Sequence, residues 1–321
     1  MLNRRAALGA ATALLAAPAV RAQAAFPNHP LRIIVTYPPG GVTDIVARIV
    51  AEPLGQRLGQ PVVVENRAGA GGNIGVAAAA QAEPDGYTLL LGTAATHGVN
   101  PVVYANSGVD AVRDFATIGT IAEMPNVLSV NPKRLDVKTV GELVAAGKRD
   151  NLIYGSVGNG SSSHLCAVMF LHGAGFEATH VPYRGSAPAV TALMAAEVDF
   201  LFDTTATSTG YIRAGSYRGL AVSSARRSSA LPELPTLQEA GIADYDVSVW
   251  NALFVHRRTP PEAAARLQSA FNQAMDEETQ KKLRGVYVDP LLIPTAELPS
   301  WLAAEHVRWM QMARDAGLAV D

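Results

Sequence analysis

The 321-residue sequence holds one cysteine, Cys166, so an internal disulfide is excluded and stability must come from an apolar core, which a chain of this length can build. Cys166 follows a Gly/Ser loop on a helix-like run and reads as a small buried hydrophobe rather than a nucleophile. Beyond residue 24 no segment is apolar enough to cross a bilayer, which takes about 20 apolar residues. The seven histidines show no H-E-x-x-H or comparable spacing, and no G-x-S-x-G elbow is present. Metal and hydrolase chemistry therefore have no support in the motifs, and no cofactor is expected. Positive charge is also scarce. Once Arg4, Arg5 and Arg21 are set aside with the leader described next, 23 basic residues face 28 acidic ones, a formal charge of about −5. Nothing in that balance favours nucleic acid.

Residues 1–24 read as an export signal: Asn3-Arg4-Arg5 is a short basic start, Ala6 to Val20 is apolar, and Ala22-Gln23-Ala24 is an A-x-A site with cleavage expected after Ala24. Pro18 and the short apolar run disfavour a membrane anchor. The paired arginines are compatible with the twin-arginine route, and the general secretory route remains open. A periplasmic location is expected. About 300 residues remain, more than one ordinary core, which suggests two domains.

From Leu31 onward strand-like runs alternate with helical patterns: Leu31 to Thr36, Val62 to Glu65, Thr88 to Leu91, Leu152 to Tyr154, Ala178 to Val181 and Asp199 to Phe202. This alternation predicts an α/β fold with mostly parallel sheets. Thr43 and Asp44 open a helix in which Ile45, Ile49 and Val50 share a face, and Pro53 is expected to kink or shorten it. Leu267 and Phe271 form an i, i+4 pair, while Leu298, Trp301, Leu302, Trp309 and Met312 recur at helical spacing as core contacts. Phe115 to Asn131 and Arg218 to Ser224 have few charges and suit two strands crossing between lobes. The expected organisation is one lobe from residues 25–122 and 226–321 and a second from residues 123–225. No internal repeat of 20 to 50 residues is evident.

Two loops share one plan. Tyr37-Pro38-Pro39-Gly40-Gly41-Val42-Thr43-Asp44 follows a strand-like run, and Tyr154-Gly155-Ser156-Val157-Gly158-Asn159-Gly160-Ser161-Ser162-Ser163-His164-Leu165 repeats the arrangement. Glycines let backbone approach a ligand, and a following helix offers unpaired N–H groups to an anion. Thr43, Thr93, Thr96, Ser156, Ser161 and Ser162 are short donors that suit a carboxylate without an arginine. Tyr183-Arg184-Gly185-Ser186 adds a phenol, a cation and a third glycine helix entry. Asp203 ends a strand, placed either to accept from a ligand hydroxyl or amino group or to cap the next helix through Thr204 and Thr205. Ser161 and His164 are too close along a helix start to form a nucleophile and base, so caps and ligand contacts are expected instead. The glycines at 69, 71, 72 and 75 are out of register with G-x-G-x-x-G, and a tight helix entry explains them without a dinucleotide. Two such loops well apart in sequence predict a small organic acid held between two lobes.

These segments resemble the Bug-type solute-binding receptors of tripartite tricarboxylate transporters. The resemblance is carried by the Tyr37 to Asp44 loop, Glu65 to Gly75, Pro84-Asp85-Gly86-Tyr87-Thr88-Leu89, Gly155 to Leu165, Pro182-Tyr183-Arg184-Gly185 and Leu231-Pro232-Glu233-Leu234-Pro235-Thr236, in the family's order. It implies a two-lobed periplasmic binding protein of type II that closes on a carboxylate, acts as a monomer and delivers its ligand to membrane permease subunits. It implicates Tyr37, Gly40, Gly41, Thr43 and Asp44 from one lobe, and Ser156, Gly158, Ser161 and Ser162 from the other. Thr96, Tyr183, Arg184 and Asp203 would shape the distal end. A sensor feeding a membrane regulator, or an exported enzyme acting on organic acids, are the alternatives.

Overall fold

A computed structural model describes residues 26–104 and 108–317. The expected signal and its cleavage point lie outside the described residues. The strands are β1 (Leu31–Val35), β2 (Val62–Asn66), β3 (Thr88–Thr93), β4 (Phe115–Val130), β5 (Leu152–Ser156), β6 (Ala178–Pro182), β7 (Phe200–Thr204), β8 (Arg218–Val222), β9 (Ser248–His256) and β10 (Asp289–Pro290). The longer helices are α1 (Val42–Leu58), α2 (Asn73–Ala80), α3 (Val140–Gly147), α4 (Ser162–Ala174), α5 (Ser186–Met194), α6 (Thr205–Arg213), α7 (Pro261–Ala274), α8 (Glu277–Gly285) and α9 (Leu298–Asp315).

The strand order is β2-β1-β3-β9-β4-β7-β5-β6, with β8 and β10 also pairing β4. The first half of β4, up to Pro125, runs antiparallel to β9, and its second half, from Asn126, runs antiparallel to β7 and β8. One continuous strand thus belongs to both halves of the molecule, and a second crossing lies where β8 ends: Ser223 accepts from Val247 N and donates its own N–H to Asn126 O. Among the described strands, parallel pairing joins β1 with β2 and β3, and β5 with β6 and β7, with one parallel bridge from Val222 to Thr236. The sheets are therefore more mixed than the alternating pattern predicts, because β9 returns into the first half from the far side.

Local sequence explains the elements around the cleft. In β1 the run Leu31, Ile33, Ile34 and Val35 is buried as expected of a strand covered on both faces. Helix α1 runs through Pro53 to Leu58 and closes on Gly59 in the left-handed conformation, so Pro53 does not shorten it. Its buried stripe is Val46, Val50 and Leu54 rather than Ile45 and Ile49, which are only partly buried. The C-terminal α9 packs back on the first half, where Trp250 and Trp309 both donate to Glu305, at 2.8 and 2.9 Å. Leu298, Leu302 and Trp309 are buried there, while Trp301 stacks edge-on against Trp250.

Candidate ligand-binding site

The two glycine loops come together at one cleft between the halves of the sheet, lined by Tyr37, Pro38, Gly41, Val42 and Thr43 on one side and Val157, Ser161, Ser162 and Ser163 on the other. Arg184 to Pro188, Asp203 and Thr204 extend it, and Met124, Asn126, Val249 and Asn251 form its floor. Four helices begin at this lining: α1 after Gly41, α4 after Ser161, α5 after Gly185 and α6 after Thr204. Gly41, Gly185 and Thr204 supply no side-chain cap, so the first N–H groups of α1, α5 and α6 have neither a helical partner nor a cap. Converging helix starts concentrate positive potential and N–H donors in one volume, a setting suited to an anion.

Other residues hold those loops in place. Asp44 accepts from Gly40 N at 3.0 Å, Asn66 Nδ2 at 3.0 Å and Arg48, which forms a 2.9 Å ion pair. Burial pulls its carboxyl upward, but these partners outweigh it and keep Asp44 below the ordinary carboxylate range. Ser156 bonds His180 Nε2 at 2.7 Å and receives Gly158 N at 3.2 Å. Ser161 is the N-cap of α4, accepting from His164 N at 3.2 Å and donating to Gly158 O at 2.6 Å. Gly158 and Gly160 have φ of 132° and 71°, which a side chain would strain. Thr96 receives Thr93 N at 2.9 Å and so sets the strand end that places Thr93 in the cleft. Tyr37 donates to Gly71 O at 3.3 Å, and burial pushes its phenol up to about 12 against a lowering contact from Thr93.

Of the residues singled out from sequence, Tyr37, Gly41, Thr43, Ser161, Ser162, Arg184 and Asp203 line the cleft. Gly40, Asp44, Thr96, Ser156, Gly158 and Tyr183 stand behind the lining. Asp44, Thr96 and Ser156 spend their polar atoms on the loops themselves, Gly40 and Gly158 turn the backbone at positive φ, and Tyr183 packs in the hydrophobic cluster with α5. Sequence reading did not single out Met124, Asn126, Val249, Gly185 or Ser186 as contacts. The last two belong to a glycine helix entry, a signal that was available. The others sit within strands, where no local motif marks them. Cys166 is fully buried, and burial pushes its thiol up to about 12, consistent with an inert core residue.

The two halves meet at both flanks of the cleft. Tyr104 donates to Asn159 O at 3.3 Å, and a Cβ on Gly185 would lie 3.3 Å from Pro38 Cγ.

A profile described as "Tripartite tricarboxylate transporter family receptor" matches residues 46–318. The chain belongs to this receptor family. Protein BugT of Bordetella pertussis is 33% identical to the receptor over 311 residues, covering 96% of this chain and 94% of BugT. The solved structure of Rpa4515 from R. palustris with adipate has a TM-score of 0.85 at 34% identity, covering 91% of the receptor and 98% of that chain. MatC from Rhodopseudomonas palustris with bound malate has a TM-score of 0.82 at 28% identity, covering 90% and 100%. The fold is that of a two-lobed, type II periplasmic binding protein, and the receptor is a member of a solute-binding rather than an enzyme family.

Proposed function

We propose that this receptor captures a small carboxylate between its lobes in the periplasm and delivers it to the membrane subunits of a tripartite tricarboxylate transporter. The observation that carries this reading is the convergence of four helix starts on one cleft, three without side-chain caps. A carboxylate there would accept from N–H groups at the starts of α1 and α4 and from the hydroxyls of Thr43 and Ser162, each charge-assisted contact contributing roughly 1.5–3 kcal/mol. Ligands of that kind, adipate and malate, occupy the relatives Rpa4515 and MatC. The cleft encloses about 90 Å³, less than the ~150 Å³ that holds a benzene ring, which favours a short-chain acid in this conformation.

Closure follows from the topology. Lobes of residues 25–122 with 226–321, and 123–225, would rotate about β4 at Pro125 and Asn126 and about Ser223, bringing Tyr104 to Asn159 and Pro38 to Gly185. The ligand shifts the equilibrium because it touches both lobes only in the closed form. No bond is made or broken, so the acid leaves unchanged.

A thermal-shift screen of residues 25–321, refolded to strip carried ligand, tests the reading against mono-, di- and tricarboxylates. Ligand at 100 times its Kd adds about 2.7 kcal/mol of stability. A folded sample that shifts with no acid refutes it. Uptake of the bound acid should then require both the receptor and the permease subunits, whereas binding without uptake would favour a sensor.

A further inference from the structure

We propose that Asp203 sets ligand choice in the cleft, selecting acids that carry a hydrogen-bond donor, a hydroxyl or ammonium group, beside the carboxylate. The proposal deepens the receptor reading above and rests on it. Asp203 ends β7, lines the cleft and is 2% exposed. Its Oδ1 is occupied, accepting from Thr204 N at 2.7 Å and from Ser186 Oγ at 3.2 Å. Its Oδ2 is buried and makes no hydrogen bond with any described residue. Holding Thr204 N ahead of α6 takes only one oxygen, which asparagine would also supply, so the second oxygen is surplus to that contact.

The floor repeats the pattern. Asn251 Oδ1 on β9 and Asn126 Oδ1 on β4 are buried without partners, and Asn126 Nδ2 is the one matching donor among these floor and wall atoms. Arg184 lines the mouth and is exposed. The helix starts already supply donors for a carboxylate, while the unpaired atoms on the wall and floor are mainly acceptors. A plain acid leaves those acceptors buried and unmatched, and one bearing a donor satisfies Asp203 Oδ2. Sites built to pair a polar ligand group reject the analogue that lacks it more strongly than apolar walls reject a change of size.

The test is a matched series titrated calorimetrically into stripped receptor: succinate, malate and aspartate, then propionate, lactate and alanine. In at least one set a donor-bearing member should bind at least tenfold tighter than the plain acid. Asp203→Asn keeps an oxygen for Thr204 N and replaces the surplus acceptor with a donor, so the preference should shrink below threefold or reverse towards the plain acid. Equal affinities across both sets in the natural receptor, or an unchanged preference in a folded Asp203→Asn, would overturn the proposal. Should that variant not fold, the comparison in the natural receptor decides alone. Binding without discrimination removes this proposal only, whereas no binding by any carboxylate removes the receptor reading with it.

Discussion

Acid should loosen this receptor through a stack of rings beneath the Gly/Ser loop. The His164 and His180 ring centroids are 4.1 Å apart with planes at 8°, and Tyr154 lies 4.8 Å from His180 and 6.5 Å from His164. His180 Nε2 holds Ser156 at 2.7 Å, while His164 Nδ1 accepts from Gly160 N at 3.3 Å, so both rings serve the loop as neutral imidazoles. Both histidines are lowered to about 4, chiefly by burial, with His180 adding to the effect at His164. In the unfolded chain each titrates near 6.5, so between about pH 6.5 and 4 the unfolded state binds more protons. Stability is then complete above 6.5, falls as the pH drops towards 4 and levels off below it. A shift of about 2.5 units in an isolated group corresponds to about 3.4 kcal/mol. Both rings are partly exposed and titrate against one another, so roughly half of that per ring is taken, about 3 kcal/mol for the pair. Urea unfolding at pH 7.5, 6, 5 and 4.5 of the natural receptor and a His164→Gln, His180→Gln double variant would measure it. The natural receptor should lose about 2 kcal/mol more over that range, about three quarters of the full effect, because carboxylate and other histidine contributions are common to both. Parallel pH profiles would refute the reasoning.

The two serines of the loop should separate cleanly. Ser161→Ala removes the α4 cap and should cost about 1 kcal/mol by urea unfolding, whereas Ser162→Ala should leave the melting temperature unchanged and weaken acid binding; the reverse outcome would exchange their roles. Gly71→Ala would place a Cβ 3.0 Å from the Tyr104 ring and 3.2 Å from Asn159 O at φ 61°, so the receptor should stay folded but close poorly, read as about tenfold weaker binding, or about 1.4 kcal/mol, and a larger radius of gyration with ligand by X-ray scattering. Asp199→Ala removes a buried carboxylate that accepts from Ile153 N and Arg134 Nε, both at 2.7 Å, and should cost about 3 kcal/mol by urea unfolding. A loss below about 1 kcal/mol would show that Arg134 finds solvent instead.

Much of this receptor was legible before any coordinates, because the relevant physics is local. β1, β2, β3, β5, β6 and β7 are short β-branched or apolar runs bounded by turns, and their expected limits fall within about two residues of those observed. The loops at 37–44 and 154–165 signalled helix starts through glycine followed by hydroxyl residues, and both helix starts lie at the cleft. What remained hidden depended on pairing across long sequence separations. β9 has no distinctive alternation, and its place between β3 and β4 follows only from register, which mixed antiparallel strands into an otherwise parallel pattern. Asn126 and Asn251 became floor residues through the same pairing. Sequence also did not separate residues that touch the cleft from those that brace it, since Ser156 has the same chemistry as Ser162. The family, the fold and the two glycine loops that meet at the cleft were legible in sequence alone, because they rest on short-range propensity and motif order. Which side chains line the cleft, and that Asp203 keeps an oxygen with no partner among the described residues, were decided only by tertiary structure, because a polar group's role depends on partners that folding brings from elsewhere in the chain.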